Sequence, residues 1–323
     1  MGISSEQALD CFRSDDLVGI GMEADAVRRR LHPECVVSYV VERSIDCEAL
    51  MDGAGSKLDE ACFNRIYEAI RETVDAGGTG VRLFTGADRE RHKGADWYEE
   101  MFRCIKQPFP SIWIEGLSAA EVAGIAENGG LGLRETIARL RDAGLDSISG
   151  NGVDLIVEDG RHSAGGSTCS LAEWLDVHRA AHELGMRTAA MMVFGAGETM
   201  EQRIGFLEAV RRLQEETGGF AAFLPVASEA PGGRELDGVT AVERLKTLAI
   251  SRMFLDNIEN VEADGTAQGL KVLQMGLRFG GNDVGSVTPD GYRSSEEDLR
   301  RIIRDAGFQP VQRDMAYRTM FLN

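Results

Sequence analysis

Carboxylates are the residues most able to do chemistry in this chain, and they recur where apolar β-branched runs end. Glu42, Asp88, Glu115, Asn151 with Asp154, Glu198, Glu229, Glu262 with Asp264, and Asp283 each follow or close such a run. A carboxylate held near an apolar wall can take or give a proton or stabilise a developing cation. Glu42, Glu115, Glu198 and Glu262 are therefore the candidate catalytic groups, with Glu198, after a glycine-flanked strand end, the best single one. Capping and solvation account for most of the others.

Other chemistries leave weaker marks. His178 and His182 stand four apart on one predicted helix, a spacing able to hold zinc, but without an HExxH pattern. That helix belongs to an outer layer, so structural histidines are expected. His92 with Arg91 and His162 with Arg161 fall in loops at a cavity rim. Six cysteines (Cys11, Cys35, Cys47, Cys62, Cys104 and Cys169) include no CxxC, CxC or CxxxC pair. Isolated cysteines of this kind are usually small buried hydrophobes. No GxSxG elbow, P-loop or dinucleotide fingerprint is present.

The elements that must position the acids alternate regularly. Two helical leaders, about 4–13 and 15–31, precede a strand at Val36–Val41. Further strands are expected at Val81–Phe84, Ile112–Ile114, Ser147–Ile148, Thr188–Val193, Phe220–Leu224, Asn260–Glu262 and Asn282–Val284. Amphipathic helices separate them at about 58–75, 96–106, 118–143 in two pieces, 171–184, 199–216, 239–256, 266–278 and 295–306. Glycines at Gly77, Gly144, Gly185, Gly218 and Gly307 mark helix ends. Ser118 with Glu121 has capping-box spacing. Eight buried strands alternating with helices predict an α/β chain folded as a (β/α)8 barrel, residues 35–323 behind a leader of 1–34, in one domain. Chemistry in such a barrel sits at the strands' C-terminal ends.

Composition narrows the partners. The chain has 323 residues, 43% hydrophobic, with a formal charge of −18. That field disfavours nucleic acid and anionic membrane as partners. No apolar run reaches a membrane span and the N-terminus has no signal-peptide pattern, so a cytoplasmic protein is expected.

Nearly the whole chain, Ser4 to Tyr317, resembles the radical-SAM enzymes of futalosine-dependent menaquinone synthesis. Cyclic dehypoxanthinyl futalosine synthase is the main likeness, with aminofutalosine synthase and F0 synthase further off. The stretches that carry it include Val36 to Arg43 (VVSYVVER), Leu140 to Ile148 (LRDAGLDSI) and Gly150 to Asp154. Met191 to Thr199 (MMVFGAGET), Thr217 to Pro225 (TGGFAAFLP), Leu277 to Asp283 (LRFGGND) and Ile303 to Asp314 (IRDAGFQPVQRD) continue it. The resemblance implies a radical-SAM barrel with a CxxxCxxC loop after the first strand, whose thiolates hold a [4Fe–4S] cluster. Counting forward places Met51, Gly55 and Leu58 at those positions, so no [4Fe–4S] cluster is expected. Cys47 and Cys62, with a helix expected between them, are not expected to substitute.

The resemblance further implies a nucleoside cradle. Thr85, Gly86, Ala87 and Asp88 stand where the family has a glycine pair contacting the methionyl amino group. Gly150, Gly152 and Asp154 stand in its glycine-rich loop, with Asp for Glu. Arg43, Arg82, Arg89 and Arg91 are the arginines nearest the vacated loop, and one of this set is expected to take over part of the anchoring of a methionyl carboxylate. The resulting expectation is a cluster-less barrel that binds S-adenosylmethionine or a related adenosyl compound and performs polar chemistry on a small nucleoside-like substrate. The alternatives are a non-catalytic ligand-binding or accessory protein, and a menaquinone-pathway enzyme of the radical-SAM type.

Overall fold

The computed structural model describes residues 2–47, 59–84, 93–153, 155, 168–228, 239–263, 269–288 and 295–320. Two leader helices, α1 (Ser5–Arg13) and α2 (Leu17–Leu31), precede β1 (Val36–Asp46). There follow α3 (Glu60–Asp75), β2 (Gly80–Phe84), α4 (Ala95–Lys106), β3 (Trp113–Ser118), α5 (Ala119–Gly129), α6 (Leu133–Ala143) and β4 (Ser147–Ser149). The second half runs α7 (Leu171–Glu183), β5 (Thr188–Phe194), α8 (Met200–Thr217), β6 (Phe220–Ala227), α9 (Ala241–Phe254) and β7 (Asn260–Val261). It closes with α10 (Leu270–Gly276), β8 (Asp283–Val287), α11 (Glu296–Asp305) and β9 (Gln309–Arg313).

All ladder pairs are parallel, in two sheets ordered β4-β3-β2-β1-β8 and β5-β6-β7. The eight strands thus stand in barrel order. A Glu262–Asp283 bridge links β7 to β8, and Met191 N–H donates to Gly150 O (3.2 Å) between β5 and β4. Each helix turns an apolar stripe to the sheet, because apolar residues three and four apart share a helix face. In α3 that stripe is Cys62, Ile66, Ile70 and Thr73. Capping boxes at Ser118 and Ser170 start α5 and α7 by satisfying amides that have no intrahelical acceptor.

One element escaped the sequence. β9 pairs with the first half of β1 (Val36–Val40), while β2 pairs with the second half (Glu42–Asp46) on the same edge. β9 therefore lies beneath β2 and closes the barrel floor. Gln312 Nε2 donates to Gly77 O at 2.8 Å, and Met315 packs against Gly80 where a side chain would not fit. Proline and two glutamines in a five-residue strand hide the alternation that identifies longer strands.

The second sheet is tied to the first by polar groups. Asn282 accepts from Arg252 Nη2 (2.6 Å) and Val261 N (2.9 Å), and donates to Asn260 Oδ1 (2.9 Å). Arg252 spends its remaining donors on the carbonyls of Gly280, Ile258 and Glu259. With carbonyl partners, burial and the nearby Arg28 bring its pKa down to about 9. The glycines of the LRFGGND stretch thus meet protein: Gly280 abuts Arg252 and Gly281 abuts Ala263.

Candidate functional site

Successive inward positions on three neighbouring strands carry Glu42, Arg82 and Glu115. Arg82 and Glu115 are register partners across β2 and β3, and Glu42 stands beside them on β1. Arg82 Nη1 lies 3.0 Å from Glu42 Oε1, and its Nε lies 3.2 Å from Glu115 Oε1. The Glu42 side chain is 1% exposed, whereas Arg82 and Glu115 keep 23% and 16%. That residual surface faces a cleft lined also by Phe84, Glu121, Ser149 and Asn151. Two buried oxygens at this place, Glu42 Oε2 and Asn151 Oδ1, have no partner among the described residues.

Electrostatics couples the group. Burial raises the Glu115 pKa, with Arg82 pulling it back and Glu42 pushing it up. Burial also works against the charge on Arg82, but Glu42, Glu115 and Glu262 together outweigh it and its pKa rises. Glu115 is thus a carboxyl poised to exchange a proton, next to a cation that stays charged.

A second ion group fills the floor. Arg313, the last residue of β9, forks onto Asp283 with contacts of 2.5 and 3.0 Å, and its guanidinium lies 3.7 Å from the Tyr317 ring centre. Asp283 further accepts from Ser38 Oγ (2.5 Å) and Gly285 N (2.8 Å), so both its oxygens are used. Glu262 lies 3.9 Å from Arg313 Nη2. It occupies the space beside Gly285, whose φ of +75° suits glycine and where a Cβ would sit 2.4 Å from Glu262 Oε1. Tyr317, at φ +62°, has its pKa raised well above the ordinary phenol value by burial. Arg313 and Tyr317 were missed at the sequence level because the strand that delivers them was missed.

The structure brings Glu42, Glu115 and Glu262 together and places Glu198 elsewhere. Glu198 accepts from Gly195 N (2.6 Å) and Ala196 N (2.9 Å) and pairs with Arg203 Nε (2.6 Å). Arg203 continues to Glu243 at 2.6 Å, so this group fastens the loop after β5 to α8 and α9. Arg43 points the other way along β1 and pairs with Glu72 of α3 at 2.8 Å. Gly150 has a packing reason for being glycine: a Cβ there would fall 2.3 Å from Ala189 O. Gly152 sits at φ +89° and accepts from Cys169 N (2.9 Å). Thr85, Gly86, Ala87, Asp88, Arg89, Arg91, His92, Asp154, His162, Glu229 and Asp264 lie outside the described residues.

His178 and His182 form a hydrogen-bond chain behind the sheet. Thr217 Oγ1 donates to Leu213 O (2.8 Å), so His182 Nδ1 must donate to it (2.7 Å). His182 Nε2 then accepts from Thr188 Oγ1 (2.9 Å), and that oxygen accepts from His178 Nδ1 (2.9 Å). The chain leaves a lone pair, not a proton, on the buried His178 Nε2, which has no partner. Both imidazoles are therefore neutral. Burial lowers His182 to about 4, with Arg187 adding to the effect, and holds His178 well below its ordinary value.

Comparison with known proteins gives the class first. The Radical SAM superfamily model matches residues 53–210, and the CofH/MqnC C-terminal region matches residues 217–322. Methylornithine synthase (PylB) shares the fold with a TM-score of 0.68 at 14% identity, over 96% of this chain and 94% of that one. The FeFe-hydrogenase maturase HydG from Carboxydothermus hydrogenoformans does so at 0.68 and 16%, over 98% and 78%.

Cyclic dehypoxanthine futalosine synthase of Streptomyces coelicolor is 34% identical, over 98% of this chain and 85% of its own length. Aminodeoxyfutalosine synthase of Thermus thermophilus is 34% identical over 77% and 71%. The chain belongs to the radical SAM superfamily, in the menaquinone-pathway family of futalosine-type synthases.

That membership corrects the expectation of no [4Fe–4S] cluster. Members of the superfamily bind S-adenosylmethionine together with such a cluster, and the superfamily match starts inside the loop in question. The expectation rested on a residue-by-residue count to Met51, Gly55 and Leu58, all outside the described residues. The thiols that flank this segment, Cys47 after β1 and Cys62 in α3, are both buried and close enough to interact. Burial, with Cys62 and Asp46 adding, pushes the Cys47 thiol up to about 12, opposite to what a thiolate ligand needs. No group of three or more His, Cys, Asp or Glu among the described residues is arranged to hold a metal. The segment from Glu48 to Leu58, in which the family's cluster loop falls, lies outside the described residues.

Proposed function

We propose that this chain binds S-adenosylmethionine or a related adenosyl compound at the C-terminal mouth of its barrel and acts there on a nucleoside-like small molecule. The observation that carries this reading is the cleft lined by Arg82, Glu115, Ser149 and Asn151, with the buried Glu42 paired to Arg82 behind it. Family membership supplies the ligand class, since the relatives named above are futalosine synthases. Membership in a cluster-binding superfamily leaves polar, cluster-free chemistry without support. The menaquinone-pathway type of reaction is the reading that remains.

Each interior residue has a distinct task in this account. Arg82 stays charged and offers donors to a hydroxyl or carbonyl of the ligand, beyond its contacts with the two glutamates. Glu115 takes or returns a proton at an Oε atom, because burial has moved its pKa toward neutrality. Glu42, deeper and unable to reach solvent, holds Arg82 in place and keeps one oxygen for a donor. S-adenosylmethionine, when bound, supplies the adenosyl or methionyl group on which the reaction draws. Titration calorimetry with S-adenosylmethionine and 5′-methylthioadenosine tests the reading. Saturable binding that weakens by about one to two decades in Arg82→Ala is expected, and no binding of either compound would overturn it.

A further inference from the structure

Among the described residues, acids outnumber bases in the barrel interior. Glu42, Glu115, Glu262 and Asp283 face Arg82 and Arg313, so these six groups leave two negative charges in excess when all are ionised. Asp283 is saturated by Ser38, Gly285 and Arg313. Glu42 and Glu115 flank Arg82 directly, and Glu262, which lies 3.9 Å from Arg313, also acts on the Arg82 charge. An acidic cluster of this kind often serves only to hold its arginines. Glu42 argues otherwise: its side chain is 1% exposed, and Oε2 has no partner among the described residues. A buried carboxylate oxygen without a donor is costly, and water or a ligand normally satisfies it. Gly285 leaves room for Glu262 in the barrel interior, where its side chain keeps 15% of its surface, and Glu115 keeps 16% toward the cleft.

We infer that Glu42, Glu115 and Glu262 form a cation subsite that receives a protonated amine of the substrate. The inference rests on the reading of this barrel as a nucleoside-type small-molecule site and names the chemistry of its deepest point. An ammonium there donates to Glu42 Oε2 and shares Glu115 and Glu262 with Arg82, bringing the interior close to neutrality. A substrate with a carboxylate at that end would meet three like charges and is disfavoured.

The test compares isosteres differing in charge. Near neutral pH, 5′-amino-5′-deoxyadenosine and adenosine are titrated into the parent, Glu42→Gln and Glu262→Gln proteins. The amine should bind the parent about tenfold or more tightly than adenosine, as one charge-assisted hydrogen bond warrants. The ratio of amine to adenosine affinity should shrink in both variants. Equal binding of the two compounds by the parent overturns the subsite and leaves the adenosyl reading standing. If neither nucleoside binds, the adenosyl reading fails and the subsite is judged with benzylamine and benzyl alcohol by thermal shift. A benzylamine preference that Glu262→Gln removes supports it, and no preference overturns it. Circular dichroism and a melting transition for each variant separate loss of the site from loss of the fold.

Discussion

Replacing Arg82 by methionine should unfold the chain more readily than any single loss of packing at that position would explain. The methionine fills much of the space of the arginine stem, so the perturbation is mainly electrostatic. In the parent, Arg82 stands 3.0 Å from Glu42 and 3.2 Å from Glu115. With charge centres about 4 Å apart and an effective dielectric near 20, each attraction is worth about 4 kcal/mol gross. Much of that offsets the desolvation of the three groups, so the pair is worth little net against an apolar replacement. Removing one partner is different: Glu42, 1% exposed, would be left buried beside no cation. A cost of about 3–5 kcal/mol follows for Arg82→Met. Arg82→Met combined with Glu42→Gln should recover at least half of it, because the stranded charge is gone. Urea unfolding followed by circular dichroism measures both. A loss under about 1 kcal/mol in the single variant, or no recovery in the double, would refute the claim that Arg82 neutralises a buried carboxylate.

Other expectations are independent of that pair. His182, its pKa depressed to about 4 and neutral in the native chain, takes up a proton in the unfolded chain below about pH 6.5. The contribution is complete above that pH and is lost as pH falls from about 6.5 to about 4, worth about 3 kcal/mol in total. Urea midpoints across this window should fall more steeply in the parent than in His182→Gln, and parallel profiles would contradict the hydrogen-bond chain. Glu198→Gln removes the charge that Arg203 and two amides share, so stability should drop by about 3–5 kcal/mol in thermal or urea unfolding. Gly150→Ala places a methyl against Ala189 O and should cost about 1–3 kcal/mol or prevent folding, read from soluble yield and melting temperature.

The barrel was legible because each strand is an apolar run with glycine- or serine-marked helices on either side, and both signals are local. Glu42 and Glu115 were legible for the same reason, since a strand's end can be read from its own residues. Glu262 came with them because it directly follows β7, which is only two residues long. What was not legible is non-local. Glu198 has the spacing of a mouth residue, yet Arg203 five positions along takes its charge. Arg43 differs from Glu42 by one position and therefore faces the opposite side of the strand, toward Glu72. The floor made by Arg313 and Tyr317 depends on β9 pairing with β1, Gln309 opposite Val36, a contact between chain ends that no local pattern announces.

The most direct test of the adenosyl reading is a crystal structure of the chain grown with 5′-methylthioadenosine or S-adenosylmethionine. The account predicts the compound at the mouth of the cleft formed by Arg82, Glu115, Ser149 and Asn151, with a hydrogen bond to at least one of these side chains. A compound bound elsewhere on the chain, with Arg82 and Glu115 untouched, would contradict it.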